Sequence, residues 1–138
     1  METRSKVLKA IRPVITSAKI LPNMSSGEHF QNATLRPVIK FQNDLLITAF
    51  KNYIKKHKNV FNELVLERRQ HYIDNAVTKD IKFRNALKGI IIGQFTVEEY
   101  TAYIKDSSAL NKRMMNLVKQ RLQDQIQLFD YPNAAATL

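Results

Sequence analysis

Two adjacent arginines are the residues of this chain best placed to do chemistry. At 100° per residue, Arg68 and Arg69 fall within the apolar arc of a helix predicted over residues 61–77. A lone guanidinium is costly to bury, so each must reach solvent, pair with a carboxylate or bind an anion. Asp44 and Asp80 are the expected internal partners, above all for Arg69. These four side chains form a candidate ion-pair or anion site.

Positive charge is concentrated in the first half of the chain. Residues 1–60 hold 11 Lys and Arg against 3 Asp and Glu, a balance of +8 within a formal net charge of +10. Such a field attracts polyanions, acidic protein surfaces or anionic ligands. Four lysines at the end of one predicted helix either complement the helix dipole or contact nucleic-acid phosphates. They are Lys51, Lys55, Lys56 and Lys58.

Residue types that build other active sites are missing or badly spaced. The chain has no cysteine, which excludes disulfides, thiolate metal sites and a cysteine nucleophile. His29, His57 and His71 lack ligand spacing on a shared helix face, and no HExxH, GxSxG, GxGxxG or P-loop sequence is present. We therefore predict no catalytic residue, no metal site and no cofactor.

Helix signals recur along the chain, whereas strand signals do not. No Asn-Gly or Asp-Gly pair is present, Thr96 and Glu99 have capping-box spacing, and Pro37 fits a first helical turn. Gln42, in the apolar arc of its helix, is expected to be hydrogen-bonded. The fold class is predicted as all-α, a bundle of five or six helices with a partly extended N-terminal arm. Periodicity places the helices near 26–34, 37–57, 61–77, 79–92, 97–105 and 108–129.

The first 24 residues differ from the rest of the chain. Pro13 and Pro22 predict a partly extended arm over residues 1–24, before a single helical domain over residues 25–138 whose end, 130–138, frays. The arm is rich in Val, Ile and Leu, so we expect it to pack on the bundle or on a second copy of the chain. It lacks the continuous apolar segment of a signal peptide or membrane span, and we predict neither.

Part of the chain resembles a family of short helical bacterial proteins, some of which carry the label glyoxalase. The resemblance covers most of residues 25–129 and is carried by three strings without a motif of known mechanism. The strings are LRPVIKFQNDLL (35–46), KDIKFRNALKGIIIG (79–93) and SSALNKRMMN (107–116). The glyoxalase fold is built from βαβββ modules with His and Glu ligands on strands. Because this chain is predicted to have neither, no catalytic residue is carried over.

These features favour a binding protein over an enzyme. We predict a non-enzymatic helical binding or interaction domain, cytoplasmic and without a membrane partner, which binds an unknown protein or forms a homo-oligomer. The alternative is a nucleic-acid-binding protein that uses the basic N-terminal half without sequence preference, which salt-dependent binding would reveal. A third hypothesis is an enzyme or anion-binding protein with a pocket near Arg68 and Arg69.

Overall fold

The computed structural model describes residues 2–130, and this range contains helices but no β-strand. The prediction of an all-α fold is therefore confirmed. A π-helical turn, Gln31–Leu35, joins α2 to α3, and a 3₁₀ turn, Ile126–Phe129, follows α9. The predicted frayed end lies outside the described residues, apart from Asp130. The α-helices are α1 (Glu2–Ile11), α2 (Ser26–Phe30), α3 (Arg36–Phe41), α4 (Asn43–Lys56), α5 (Val60–Glu63), α6 (Leu66–Thr78), α7 (Ile81–Ile92), α8 (Val97–Ile104) and α9 (Ser107–Asp124).

The structure divides the chain into more helices than the five or six expected. Eight α-helices in the described part of the chain have five residues or more. The predicted helix 37–57 breaks at Gln42 (φ −85°, ψ 4°), and the predicted helix 61–77 breaks at Leu64, whose ψ is 149°. At the first break the Gln42 amide donates to the Ile90 carbonyl oxygen at 2.9 Å, which confirms the expected hydrogen bond. Apolar periodicity continues across both breaks and so does not reveal them.

The N-terminal arm, which was expected to be partly extended, begins with a ten-residue helix, α1, and residues 12–24 that follow are not helical. It packs on the bundle, as predicted, at the turn between α7 and α8. The Arg4 guanidinium donates to the carbonyl oxygens of Phe95 and Gly93 at 2.7 and 3.1 Å. Arg12 donates to the carbonyl oxygen of Gln94 at 2.8 Å. Two arginines therefore hold the arm by polar contacts.

The apolar side chains of the arm are largely exposed, whereas the sequence predicted that their burial would hold the arm on the bundle. Helix α1 buries none of its residues, and Val7, Ile11 and Val14 are 55%, 44% and 84% exposed. Hydrophobic burial consequently contributes little to docking of the arm. The expected homo-oligomer through this segment stays a prediction.

Helix α8 begins with the predicted capping box. The Thr96 hydroxyl accepts from the Glu99 N–H at 3.1 Å, and the Glu99 carboxylate accepts from the Thr96 N–H at 2.8 Å. The same carboxylate accepts two hydrogen bonds from Arg12, each 2.7 Å long. The Arg12 and Glu99 side chains are only 9% and 13% exposed. The cap thus also anchors the arm through a nearly buried ion pair.

The core combines an aromatic cluster with the apolar face of α9. Phe50 and Phe61 are fully buried, and the Phe50 ring meets Phe129 edge-on with centroids 4.8 Å apart. Burial of each such ring contributes about 1.5–3 kcal/mol before ordering entropy is subtracted. Met114 and Val118 of α9 are also fully buried, and α9 packs against α3, α4 and α6. This packing fixes α9 beside α3, where a polar groove remains between them.

Candidate anion site

Arg69, the most promising arginine from the sequence, holds the backbone between α5 and α6. Its Nε donates to the Leu64 carbonyl oxygen and its Nη2 to the Asn62 carbonyl oxygen, both at 2.9 Å. Its Nη1 forms an ion pair with Asp130 at 2.6 Å. All three nitrogens of the guanidinium therefore have partners within the chain, and Arg69 has a structural role.

Asp80 and Asp44, the partners expected for Arg69, do not pair with it, so that predicted pairing is wrong. Asp80 accepts from the Tyr53 hydroxyl at 2.7 Å and caps α7 by accepting from the Phe83 N–H at 3.2 Å. The Tyr53 hydrogen bond is the main cause that lowers the pKa of Asp80. Burial, together with this bond, raises the pKa of Tyr53. Asp44 is exposed on α4.

Arg68 is separate from Arg69 in the structure. It is exposed and lines a shallow groove on α6 with His71 and Tyr72, and Arg69 does not line that groove. The Arg69 guanidinium instead lies 5.3 Å from the centroid of the Phe61 ring. The two arginines therefore do not form one site.

The four candidate lysines lie together at the end of α4 and in the turn that follows. Lys51, Lys55, Lys56 and Lys58 are all exposed. The turn itself uses left-handed backbone, with φ of 61° at Lys58 and 58° at Asn59. Within residues 2–130, no carboxylate lies within 4 Å of any of these lysines. Their charge is available to a polyanion, and their role stays a prediction.

A second group of cations, not predicted from the sequence, lies in the groove between α3 and α9. This cationic groove has a volume of about 370 Å³, and the arm passes along it. Its apolar part consists of Ile15, Ile39 and Leu117. Its polar side chains include Arg36 and Lys40 from α3, Gln120, Arg121 and Asp124 from α9, and Ser17 from the arm.

The π-helical turn before α3 sets the position of Arg36. The Arg36 N–H bonds to the Gln31 carbonyl oxygen five residues back, so the turn is wider than an α-helical one. The Arg36 Nε donates to the Asn32 Oδ1 at 3.0 Å, which fixes one edge of the guanidinium. The turn therefore places Arg36 at the groove, and π-helical turns are often found at functional sites.

An amide network fixes Arg121 from the other side of the groove. Asn43 and Gln125 exchange hydrogen bonds of 2.7 and 3.1 Å, and Gln125 also donates to the Arg121 carbonyl oxygen at 3.0 Å. The Arg121 Nη1 donates to the Asn43 Oδ1 at 3.4 Å. In the part of the chain that the structure describes, its other guanidinium nitrogens have no hydrogen-bond partner. They remain available to a ligand.

Two half-buried guanidinium groups thus line the same groove. Burial is the main cause that lowers the pKa of Arg121; the carboxylate of Asp124 acts against it, and the charge of Arg36, the smallest of the three causes, lowers it further. No ion pair within 4 Å neutralises Arg36 or Arg121 among the described residues. An anion in the groove would accept hydrogen bonds from the guanidinium N–H groups that have no partner in the described chain, and would compensate for their partial desolvation.

One sequence signal for the cationic groove was available. At 100° per residue, Arg121 falls in the middle of the apolar side of the last predicted helix, between the directions of Leu117 and Met114. The same reasoning singled out Arg69 and applies equally to Arg121. Arg36 gives no comparable signal, because its direction depends on the π-helical turn.

The described range contains neither a cluster of metal ligands nor a membrane-spanning helix. Residues 2–130 contain no group of three or more His, Asp or Glu side chains arranged to hold a metal ion. None of the helices there has both the length and the apolar composition needed to cross a membrane.

Comparison of the chain with protein-family models, with curated proteins and with solved structures found no match. The resemblance to the family of short helical bacterial proteins therefore stays a prediction.

Proposed function

We propose that this protein is a non-enzymatic binding domain whose ligand is a small anion or an anionic group of a larger molecule. The cationic groove binds it, with Arg36 and Arg121 as the main contacts and Lys40 beside them. The observation that carries the proposal is a groove lined by two half-buried guanidinium groups, neither of which has a carboxylate within 4 Å in the described chain.

The physical reason is the free energy that such an arrangement costs without a ligand. Two like charges in a partly desolvated place repel one another, and each loses part of its hydration. A bound phosphate or carboxylate restores hydrogen bonds to both guanidinium forks, which suit planar, two-point contacts. The binding geometry needs no catalytic step, and we assign none.

Titration with inorganic phosphate, followed by calorimetry or by NMR shifts, tests the proposal. Arg36→Gln and Arg121→Gln should each weaken phosphate binding by about 10- to 100-fold, the usual range for a charged hydrogen bond. Arg68→Gln is the matched control, because it removes the same charge from an exposed helix position outside the groove. It should leave phosphate affinity within about twofold.

Stability gives a second measurement that does not depend on saturating the site. Without phosphate, Arg121→Gln should keep or raise the melting temperature, since it removes a charge that burial partly desolvates. With phosphate, the stability of the wild-type protein should rise with the logarithm of the ligand concentration above Kd, and that of the variant should not. Equal phosphate binding by the wild-type protein and both groove variants would contradict the proposal, as would an equal loss in Arg68→Gln.

Nucleic-acid binding is the second candidate, and the exposed lysines at the end of α4 favour it. Reversing the charge of Lys51, Lys55, Lys56 and Lys58 should abolish binding to duplex DNA if these residues bind phosphates. Each lysine–phosphate interaction that the variant removes should reduce the log–log salt slope by about 0.9. Reversal of four exposed lysines elsewhere is the control: Lys6, Lys79, Lys82 and Lys105. Equal effects in both variants would indicate a general charge effect and contradict a specific role for the α4 lysines.

A further inference from the structure

A carboxylate in the cationic groove restricts what kind of anion fits there. Asp124 lines the groove on the same face of α9 as Arg121, three residues away. It is exposed, and within residues 2–130 it has no cation within 4 Å. An ionised carboxylate accepts hydrogen bonds and donates none. A bare anion at the two arginines would therefore meet an opposing charge at its side.

A ligand that carries both an anionic group and a hydroxyl would offer a hydrogen-bond partner to the two arginines and to the carboxylate. Its anionic group would accept hydrogen bonds from Arg36 and Arg121, and its hydroxyl would donate to Asp124. Ser17 and Gln120 add polar groups that both donate and accept, and neither has a side-chain hydrogen bond to another described residue. Such groups can exchange hydrogen bonds with further hydroxyls of the same ligand.

The dimensions of the groove agree with a small ligand of this kind. Arg121 and Asp124 lie three residues apart on α9, a rise of about 4.5 Å along the helix axis, so one small ligand can contact both. The volume of about 370 Å³ lies at the lower end of the range for small-molecule sites. Ile39 and Leu117 supply an apolar surface for the carbon skeleton.

We propose that the cationic groove recognises a phosphate ester of a small hydroxylated molecule, such as a sugar phosphate. The phosphate lies between Arg36 and Arg121, and a hydroxyl donates to the carboxylate of Asp124. This assignment rests on the proposed function, since it requires that the groove binds an anion. It adds Asp124 as the residue that distinguishes an ester from free phosphate.

Asp124→Asn tests the assignment, because the expected effects on two probes have opposite signs. For inorganic phosphate, loss of the repelling carboxylate should strengthen binding. For glucose 6-phosphate or ribose 5-phosphate, the hydroxyl loses a charged acceptor and keeps only the weaker amide oxygen of Asn, which should weaken binding by about tenfold. Asp44→Asn is the matched control: it makes the same charge change on the exposed face of α4, outside the groove. It should leave both affinities nearly unchanged.

The possible results separate the two proposals. Weaker binding of the sugar phosphates and stronger binding of phosphate in Asp124→Asn supports both proposals. Stronger binding of every probe overturns the ester assignment, while the anion site remains. Failure of the wild-type protein to bind any of the probes, or insensitivity of all of them to Arg121→Gln, overturns the proposed function and the assignment together. Unphosphorylated glucose should not bind, and its binding with similar affinity would also contradict the assignment.

Discussion

Replacing Arg12 by alanine would break the most buried ion pair of the described chain. The Glu99 carboxylate accepts two hydrogen bonds from Arg12, both 2.7 Å long, and one each from the Thr34 hydroxyl and the Thr96 N–H. The variant would therefore leave a largely buried carboxylate with two of its four hydrogen bonds. It would also release the arm from the carbonyl oxygen of Gln94.

The expected loss of stability follows from this geometry. Removing one partner of a buried pair typically costs about 3–5 kcal/mol, because the other charge stays desolvated. The two remaining hydrogen bonds to Glu99 place the expected value near the lower end, at about 3 kcal/mol. For a chain of this length, that corresponds to a melting temperature lower by about 10–15 °C.

The dependence on pH provides a sharper measurement than the size of the loss. Burial alone would raise the pKa of Glu99, but the hydrogen bonds and charge of Arg12 hold it below its ordinary value of 4.5. In the wild-type protein this contribution is present above pH 4.5 and is lost as pH falls through the lowered folded pKa. Without Arg12, burial should raise the folded pKa, so the contribution of Glu99 should be lost as pH rises.

Urea unfolding of the wild type and Arg12→Ala from about pH 4 to pH 7 measures both effects. The stability deficit of the variant should grow as pH rises and shrink in acid. Lys6→Ala, which breaks an exposed pair with Glu2 on α1, is the control and should cost less than about 0.5 kcal/mol. A loss below about 1 kcal/mol in Arg12→Ala, or a deficit independent of pH, would refute the reasoning.

Three further predictions concern the rest of the chain. Arg69→Ala should lower the free energy of unfolding by about 3 kcal/mol, because three hydrogen bonds are removed, whereas Arg68→Ala should change it by less than about 0.5 kcal/mol; denaturant titration measures both. Tyr53→Phe should remove the hydrogen bond that lowers the pKa of Asp80, so the stability lost as pH falls below 3.8 should become smaller, as unfolding at pH 3 and pH 7 would reveal. Light scattering should give a multiple of the chain mass for the wild type and a single chain for Ile11→Ser if the exposed side of α1 forms an oligomer interface; a monomeric wild type would contradict the expected homo-oligomer.

Local signals in the sequence predicted the helical class and several helix ends. The Thr96 and Glu99 spacing specifies a capping box, because both hydrogen bonds form within four residues. Gln42 shows what local signals do not predict. Its position in an apolar arc correctly indicated a hydrogen-bonded amide, but its partner, the Ile90 carbonyl oxygen, belongs to another helix and its backbone breaks the predicted one.

Partners distant in the chain could not be predicted from spacing. Arg69 was correctly singled out by its place in an apolar arc, but its carboxylate partner, Asp130, lies 61 residues away. The cationic groove could not be predicted for the same reason, since packing of α3 on α9 brings Arg36 and Arg121 to one groove. The sequence also predicted burial of the apolar residues of the arm, which are largely exposed in the structure. Composition indicates how much apolar surface a segment has, but not whether polar contacts will hold the segment in place.

Attachment of the arm by Arg4 and Arg12 has a consequence for the order of folding. Their contacts with residues 93–99 close loops in which the bonded residues are 82 to 91 positions apart. Closing a long loop costs conformational entropy before the contact stabilises the chain. Local helices and the helix pairs of the core should therefore form earlier. Loss of Arg4 or Arg12 should therefore accelerate unfolding and leave the refolding rate nearly unchanged. The arm would then dock late in folding and would mainly set the unfolding rate, and with it the lifetime of the folded state.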